Sequence, residues 1–252
     1  MNATTVGTDV VVMPLRFTDH FEQMRDFLLL LGFSPRMSRG RSWVVLVGAA
    51  GMVAVHPARN SESGPRSGET GLSFDVGDVD ALAARFTSAG FEEVEIYDEA
   101  YGRVLRVGGH GADGVTFDEH SEDLYGYRVD DPAPRRGIVS MPLRFDPPVG
   151  AFADLLAAAG LVRLEEGDDE WWRVWRSPAG GLVALLPSLD DRGPRSVQLG
   201  FRTEEPLADL AARLIAAGHC ELTVSGEFGG ELTVVDPDGQ KVLIQSVTGR
   251  SR

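Results

Sequence analysis

Apolar positions along the chain switch repeatedly between a strand period and a helix period. A β-branched, apolar run over residues 10–17 reads as a strand. Phe21, Met24, Leu28 and Leu31 then fall on one helical face, with Asp19 as a candidate N-cap and Gly32 as the stop. Strand patterns follow near 34–39, 42–47 and 52–56. The same order returns with a strand at 72–76, a helix capped by Asp78 that runs through Leu82, Phe86 and Ala89 to Gly90, and strands near 93–97, 103–107 and 115–120. A third round has a strand at 138–145, a helix at 148–159 and strands near 162–165, 171–176 and 182–186. A fourth has a strand at 197–203, a helix at 206–217 and strands near 221–225, 231–235 and 241–247. One chain therefore predicts four βαβββ units.

The units also share spelling. MPLRF occupies residues 13–17 and again 141–145, an offset of 128. The same offset aligns Gly32 with Gly160, Trp43 with Trp171, and the LAAR segment at 82–85 with its copy at 210–213. A two-residue slip then matches GMVAVHP at 51–57 to GLVALLP at 181–187. Repetition at this spacing implies a duplicated domain. The Pro- and charge-rich segment YGYRVDDPAPRRG separates the copies, so the expected division is a first domain at 1–128, a linker at 129–136 and a second domain at 137–252.

Composition narrows the function classes. With 43% hydrophobic residues over 252 positions, each half can bury its own core. The net charge is −14 and Lys241 is the only lysine, so no basic stripe offers itself to nucleic acid or to an anionic membrane. The single cysteine, Cys220, excludes an intramolecular disulfide and a Cys-based zinc site. Residues 1–10 lack the basic-then-apolar pattern of a signal peptide, and the longest apolar run is too short to span a bilayer. The expectation is a cytoplasmic protein, monomer or homodimer, whose partner is a small molecule.

Paired βαβββ units, helices ending in LGF (31–33), AGF (89–91) and AG (217–218), and the DPDG turn at 236–239 resemble the vicinal oxygen chelate superfamily. That superfamily includes glyoxalase I, extradiol dioxygenases and the fosfomycin and bleomycin resistance proteins. The resemblance implies an α+β fold in which paired modules form two domains with curved, cup-shaped mixed sheets and outer helices. Each cup would hold a divalent metal or an organic ligand. It also implies where metal-using members keep their ligands: a His, Gln or Glu on the first strand of a module, and a Glu on the last strand.

Aligned on Asp19, the chain places Val12, Gly71 and Asp118 at those positions in the first domain, and Ser140, Gln198 and Leu243 in the second. Too few donors converge there for useful affinity, so no cofactor is expected. A two-residue slip would bring His120 beside Asp118, and the alternative, a divalent metal in a glyoxalase-type lyase or dioxygenase, would use Asp118, His120 and His56. By the same alignment Arg16 and Arg144 face the cups, joined by Asp75 and Arg202, as a fork for a polar ligand group or as a buried pair. A Pro-flanked strand repeated in both halves fits a domain–domain seam equally well. Trp171, Arg173 and Trp175 share a strand face and form a candidate stacking ladder with Trp43 as its counterpart. Tyr97, Tyr101 and Phe117 add possible aromatic surface in the first domain. His20 reads as a surface residue, His110 as part of an exposed glycine loop, and His219 as a cation at a helix C-terminus. Cys220 beside His219 lacks a third group for nucleophilic chemistry. The leading expectation is a glyoxalase/bleomycin-resistance-like protein that sequesters a small aromatic or hydrophobic molecule by apolar burial and stacking.

Overall fold

The structure, a computed structural model, describes residues 9–61, 64–99, 102–109, 114–120, 125–133, 137–165, 171–188, 196–226 and 230–247. The first unit contains β1 (Val11–Val12), β2 (Leu15–Thr18), α1 (Phe21–Leu31), β3 (Ser34–Arg39), β4 (Trp43–Val47) and β5 (Met52–Pro57). The second has β6 (Thr70–Gly71), β7 (Ser73–Val76), α2 (Val79–Ser88), β8 (Val94–Glu99), β9 (Gly102–Val107) and β10 (Val115–Glu119), followed by the short β11 (Arg128–Val129). The third runs through β12 (Val139–Ser140), β13 (Leu143–Phe145), α3 (Ala151–Ala159), β14 (Val162–Arg163), β15 (Arg173–Arg176) and β16 (Leu182–Leu186). The fourth comprises β17 (Val197–Gln198), β18 (Gly200–Thr203), α4 (Leu207–Ala216), β19 (Leu222–Ser225), β20 (Glu231–Val235) and β21 (Lys241–Ser246).

These strands make four mixed sheets, one per unit. The first is ordered β11-β3-β4-β5-β2-β6 and the second β1-β7-β10-β9-β8. The third is β14-β15-β16-β13-β17 and the fourth β12-β18-β21-β20-β19. The opening strand of each half changes sheet part way. β1 pairs with β7, and two residues later β2 pairs with β5 and β6. β12 and β13 do the same, pairing with β18 and with β16 and β17. Pro14 and Pro142 sit in these breaks, where no ladder donor is required, and their carbonyls accept the Ala54 and Ala184 amides at 3.0 Å. This bend couples the two sheets of each half into one cup.

Helix ends follow the sequence closely, with one exception. Gly32 and Gly160 close α1 and α3 in the left-handed conformation, at φ 111° and 95°. Asp78 caps α2 by accepting the Ala81 amide at 2.8 Å. Asp19 does not cap α1; the turn is made one residue earlier, by Thr18, whose hydroxyl accepts the His20 amide at 2.9 Å. That one-residue difference proves decisive for the site.

The helix faces of the sheets build two cores, each shared between the halves. One joins α1 and the back of the first sheet to α4 and the back of the fourth, through Phe27, Leu31, Phe201 and Ile244. The other joins α2 and the second sheet to α3 and the third, through Phe74, Phe86, Phe117 and Leu156. The strand-level contact between the halves is close. The Val12 amide donates to Gly180 O and the Ser140 amide to Ala50 O, both at 3.0 Å. A Cβ on Gly51 would lie 2.8 Å from the Ser140 Cβ, and its φ of +76° also favours glycine.

Candidate ligand-binding site

The inner face of each cup follows from strand register. In the first sheet Leu15, Ala54 and Val45 lie abreast, and Met13 and Met52 join them in an apolar floor. In the second sheet Val11, Asp75, Asp118 and Val104 lie abreast on the inner side. Ser73, Thr116 and Arg106 form the next inner row. The first cup thus has an apolar floor on one sheet and a polar wall on the other.

Asp118 is the centre of that wall. Among the described residues its hydrogen bond comes from Ser73 Oγ at 2.5 Å. Its charged neighbours, Asp75 and Glu99, are acidic, and among the described residues no cation offsets its desolvation. Desolvation, first, and then those carboxylates push its pKa up to about 6. Asp75 differs because it has cationic company. Arg36 lies 3.6 Å from one of its oxygens and His120 Nδ1 lies 3.6 Å from the other. Burial still outweighs both attractions and holds Asp75 above the usual carboxylate range. Arg36 reaches into the cup from a bulge in β3; it also approaches His120 Nδ1 at 3.2 Å and donates to Met52 Sδ at 3.2 Å. Tyr97 closes the wall, its hydroxyl pushed up in pKa by burial, with Arg106 5.1 Å from its ring centroid.

Aromatic residues occupy another part of the same cup. His56 stands edge-on to Phe17 at 6.0 Å and to Trp43 at 5.9 Å between ring centroids. His56 Nδ1 lies 2.8 Å from Pro57 O and donates to that carbonyl.

Arg16 and Arg144 are not on the inner faces. Because the junction turns at Thr18, the strand phase is shifted by one residue, and Met13 and Leu15 face the cup while Val12 and Arg16 face away. Arg16 is 1% exposed and binds Asp236 and Asp238 of the β20–β21 turn, with Gly68 O at 2.5 Å and Thr70 Oγ1 at 2.9 Å. It clamps the first unit to the fourth. Arg144 pairs with Asp146 at 3.2 Å and lies over the Phe152 ring at 3.9 Å. MPLRF therefore recurs because each half needs a sheet-switching proline, a cup-floor leucine and a buried arginine at that bend.

The proposed tryptophan ladder also faces the wrong way. Trp175 pairs with Val183 and Arg173 with Leu185, both of which pack into the helix-side core, and Trp171 is 64% exposed. Trp172 turns inward instead, against Met141, Leu143 and Val174. It, rather than Trp171, is the counterpart of Trp43, since Ala54 and Ala184 hold matching positions opposite Val45 and Val174. In the second cup Arg202, Gln245 and Glu231 form the inner row where the first has Asp75 and Asp118, and Gln245 donates to Glu231 at 3.1 Å. Gln198 lies abreast of Leu143 and donates to Lys241 O. Phe117 belongs to the helix-side core. His20 and His219 border a shallow groove of about 430 Å³ on the helix side, between α1 and the end of α4; burial pushes the His219 pKa down rather than favouring a cation there. Tyr101 and His110 lie outside the described residues.

A resident metal fits these donors poorly. Cup-facing positions on the first strands include Val11, Ser73, Val139 and Gly200, none a strong ligand, and Asp75, which Arg36 and His120 already flank. Among the described residues no three His, Cys, Asp or Glu side chains converge on one point. The set that comes nearest, Asp75, Asp118 and His120, already has the Arg36 guanidinium among it, and His56 lies with the aromatic residues.

No protein-family model and no curated protein matches the chain. Solved structures do. A catechol 2,3-dioxygenase superposes with a TM-score of 0.61 at 11% identity, covering 96% of this chain and 89% of that one. A variant of homoprotocatechuate 2,3-dioxygenase from Brevibacterium fuscum gives a TM-score of 0.60 at 16% identity, over 95% and 71%. A xylose isomerase-like TIM barrel/4-hydroxyphenylpyruvate dioxygenase fusion gives 0.59 at 13% identity; it covers 97% of this chain, which spans half of the fusion's length. The shared property is the fold, that of the vicinal oxygen chelate proteins.

Proposed function

Starting from that two-cup fold, we propose that the protein binds a small organic molecule in its first cup without a metal ion. The observation that carries this reading is Asp118: a half-buried carboxylate facing the cup with, among the described residues, one hydroxyl donor and no balancing cation, and with an apolar floor on the neighbouring sheet. A structural carboxylate would be paired or solvated. One left short of donors suits a ligand that brings its own N–H or O–H, or a protonated amine. Asp75, fixed by Arg36 and His120, shapes the electrostatics beside it, while Trp43 and His56 supply an aromatic surface. Sequestration needs only these contacts.

The test is a titration of the purified chain, read by tryptophan fluorescence, with planar and apolar amines, phenols and their O-methyl or deoxy analogues. Saturable binding of a donor-bearing compound that Asp118→Ala weakens at least tenfold supports the reading, since a lost hydrogen bond to a charged group is worth about 1.5–3 kcal/mol. A panel in which no compound binds contradicts it. A second reading, a metal-dependent lyase or dioxygenase, is favoured by the dioxygenase names of the structural neighbours. It requires about one Fe, Mn, Ni or Zn per chain on elemental analysis.

A further inference from the structure

The second and fourth units guard their outer edges differently. Among the described residues β8 and β19 are end strands of their sheets, and the offset of 128 sets residues 94–97 against 222–225. An open edge offers unpaired N–H and C=O groups to another chain, and charged side chains are a common protection. β8 carries Glu95, Asp98 and Glu99. β19 is Leu222, Thr223, Val224 and Ser225, without a charge, and Val224 is 51% exposed. The helices behind these strands differ in the same sense. The LAAR alignment sets Asp80, Ala84 and Thr87 of α2 against Ala208, Ala212 and Ile215 of α4. Asp80 binds Arg103 at 2.7 Å, whereas the α4 set is apolar and exposed, Ile215 by 52%. Arg213, on the opposite flank of α4, donates to Leu30 O of α1 at 2.9 Å, so the apolar flank turns away from the first half. On a chain of net charge −14, the fourth unit presents an uncharged strand edge and an apolar helix flank together.

Backbone phase selects the partner. The Val235 amide donates to Glu221 O at 3.0 Å, so Thr223 and Ser225 turn their backbone groups to β20 and Val224 turns both of its own outward. The Leu222 amide is already bound to Cys220 O at 3.1 Å, and a Cβ on Gly226 would meet nothing within 4 Å. We propose that this edge pairs with the same edge of a second copy, antiparallel, about a two-fold axis between the two Val224 residues. In that register Val224 exchanges both backbone hydrogen bonds with its own copy, and Leu222 O accepts from the Gly226 amide. The two fourth sheets join into one, and the two α4 helices lie on its same face, where Ile215 and the small alanines permit close approach. No like charges meet along residues 222–226. An isologous contact of this kind closes at two copies. The inference does not depend on what the first cup holds.

Its test is sedimentation velocity of the full chain over a concentration series. The wild type is expected to pass from monomer to dimer as concentration rises. Val224→Lys sets like charges opposite each other across the axis and is expected to weaken dimerisation about tenfold or more. Ile215→Lys is expected to weaken it too, whereas Thr87→Lys, at the matching place on α2, leaves it unchanged. An equimolar mixture of Val224→Lys and Val224→Glu is expected to associate more tightly than either variant alone, because opposite charges then meet at the axis. Circular dichroism checks that each variant folds; should one Val224 variant fail, the wild-type series and the Ile215→Lys and Thr87→Lys pair decide alone. A wild type that stays monomeric throughout, a dimer that neither lysine variant weakens, one that Thr87→Lys weakens equally, or folded charge variants that gain nothing on mixing each overturn the inference.

Discussion

Replacing Asp118 by Asn should stabilise the folded chain, and only above a defined pH. The native pKa is raised from 3.8 to about 6, chiefly by desolvation. A carboxylic acid raised in the folded state binds more protons native than unfolded, so stability falls as pH climbs through that interval and the full penalty stands above it. A rise of this size corresponds to about 3 kcal/mol against the ionised form, and about half of that remains at a carboxylate that solvent still reaches. Asn keeps an acceptor for Ser73 Oγ and removes the charge. The expected result is a gain of about 1–2 kcal/mol at pH 8, none at pH 4, and a crossover between pH 4 and 6. Urea unfolding of both proteins across that range measures it. A difference that does not change with pH, or a variant less stable at pH 8, would refute the assignment of Asp118 as an uncompensated, half-buried acid. Stability gained by removing a charge marks a residue kept for another purpose.

Other outcomes follow from the same geometry. Arg16→Ala strands Asp236 in a buried seam and should cost about 3–5 kcal/mol in denaturant unfolding; a cost under about 1 kcal/mol would show that the clamp contributes little. Gly51→Ala forces a Cβ to 2.8 Å from Ser140 Cβ at a φ of +76° and should lower the midpoint of thermal unfolding by several degrees, about 1–3 kcal/mol, whereas Gly90→Ala, with nothing within 4 Å, should cost less. Because each core draws on both halves, residues 1–128 expressed alone should expose the α1 and α2 faces and bind a hydrophobic dye strongly; a monomeric fragment that unfolds cooperatively and ignores the dye would contradict the shared-core description.

The element order was legible because periodicity and caps depend on local sequence. The four βαβββ units, the glycine stops after α1 and α3 and the Asp78 cap all follow from spacing alone. The faces of the strands were harder to read. With a period of two, the choice of Thr18 or Asp19 as the turning residue reverses every side chain upstream, and it moved Arg16 from the cup to the seam. One extra residue before β15 likewise exchanged Trp171 for Trp172 as the partner of Trp43. The phase of Asp75 and Asp118 is set by the Asp78 cap and by a continuous β10. Arg36 had no sequence signal, since it enters the cup from a bulge whose position depends on pairing with β4. Anchoring on the glycine and alanine positions of β5 and β16 would have matched Trp43 to Arg173, so Trp172 emerges only from the register of β15 on β16.

The most direct test is a crystal structure grown with the tightest binder from the titration, with anomalous data collected at transition-metal edges. The account predicts organic density in the first cup, a ligand donor within hydrogen-bond distance of Asp118, and no anomalous peak nearby. A metal ion bound by Asp75, Asp118 and His120, with Arg36 displaced, would contradict it, as would a cup closed by its own side chains with the ligand bound elsewhere.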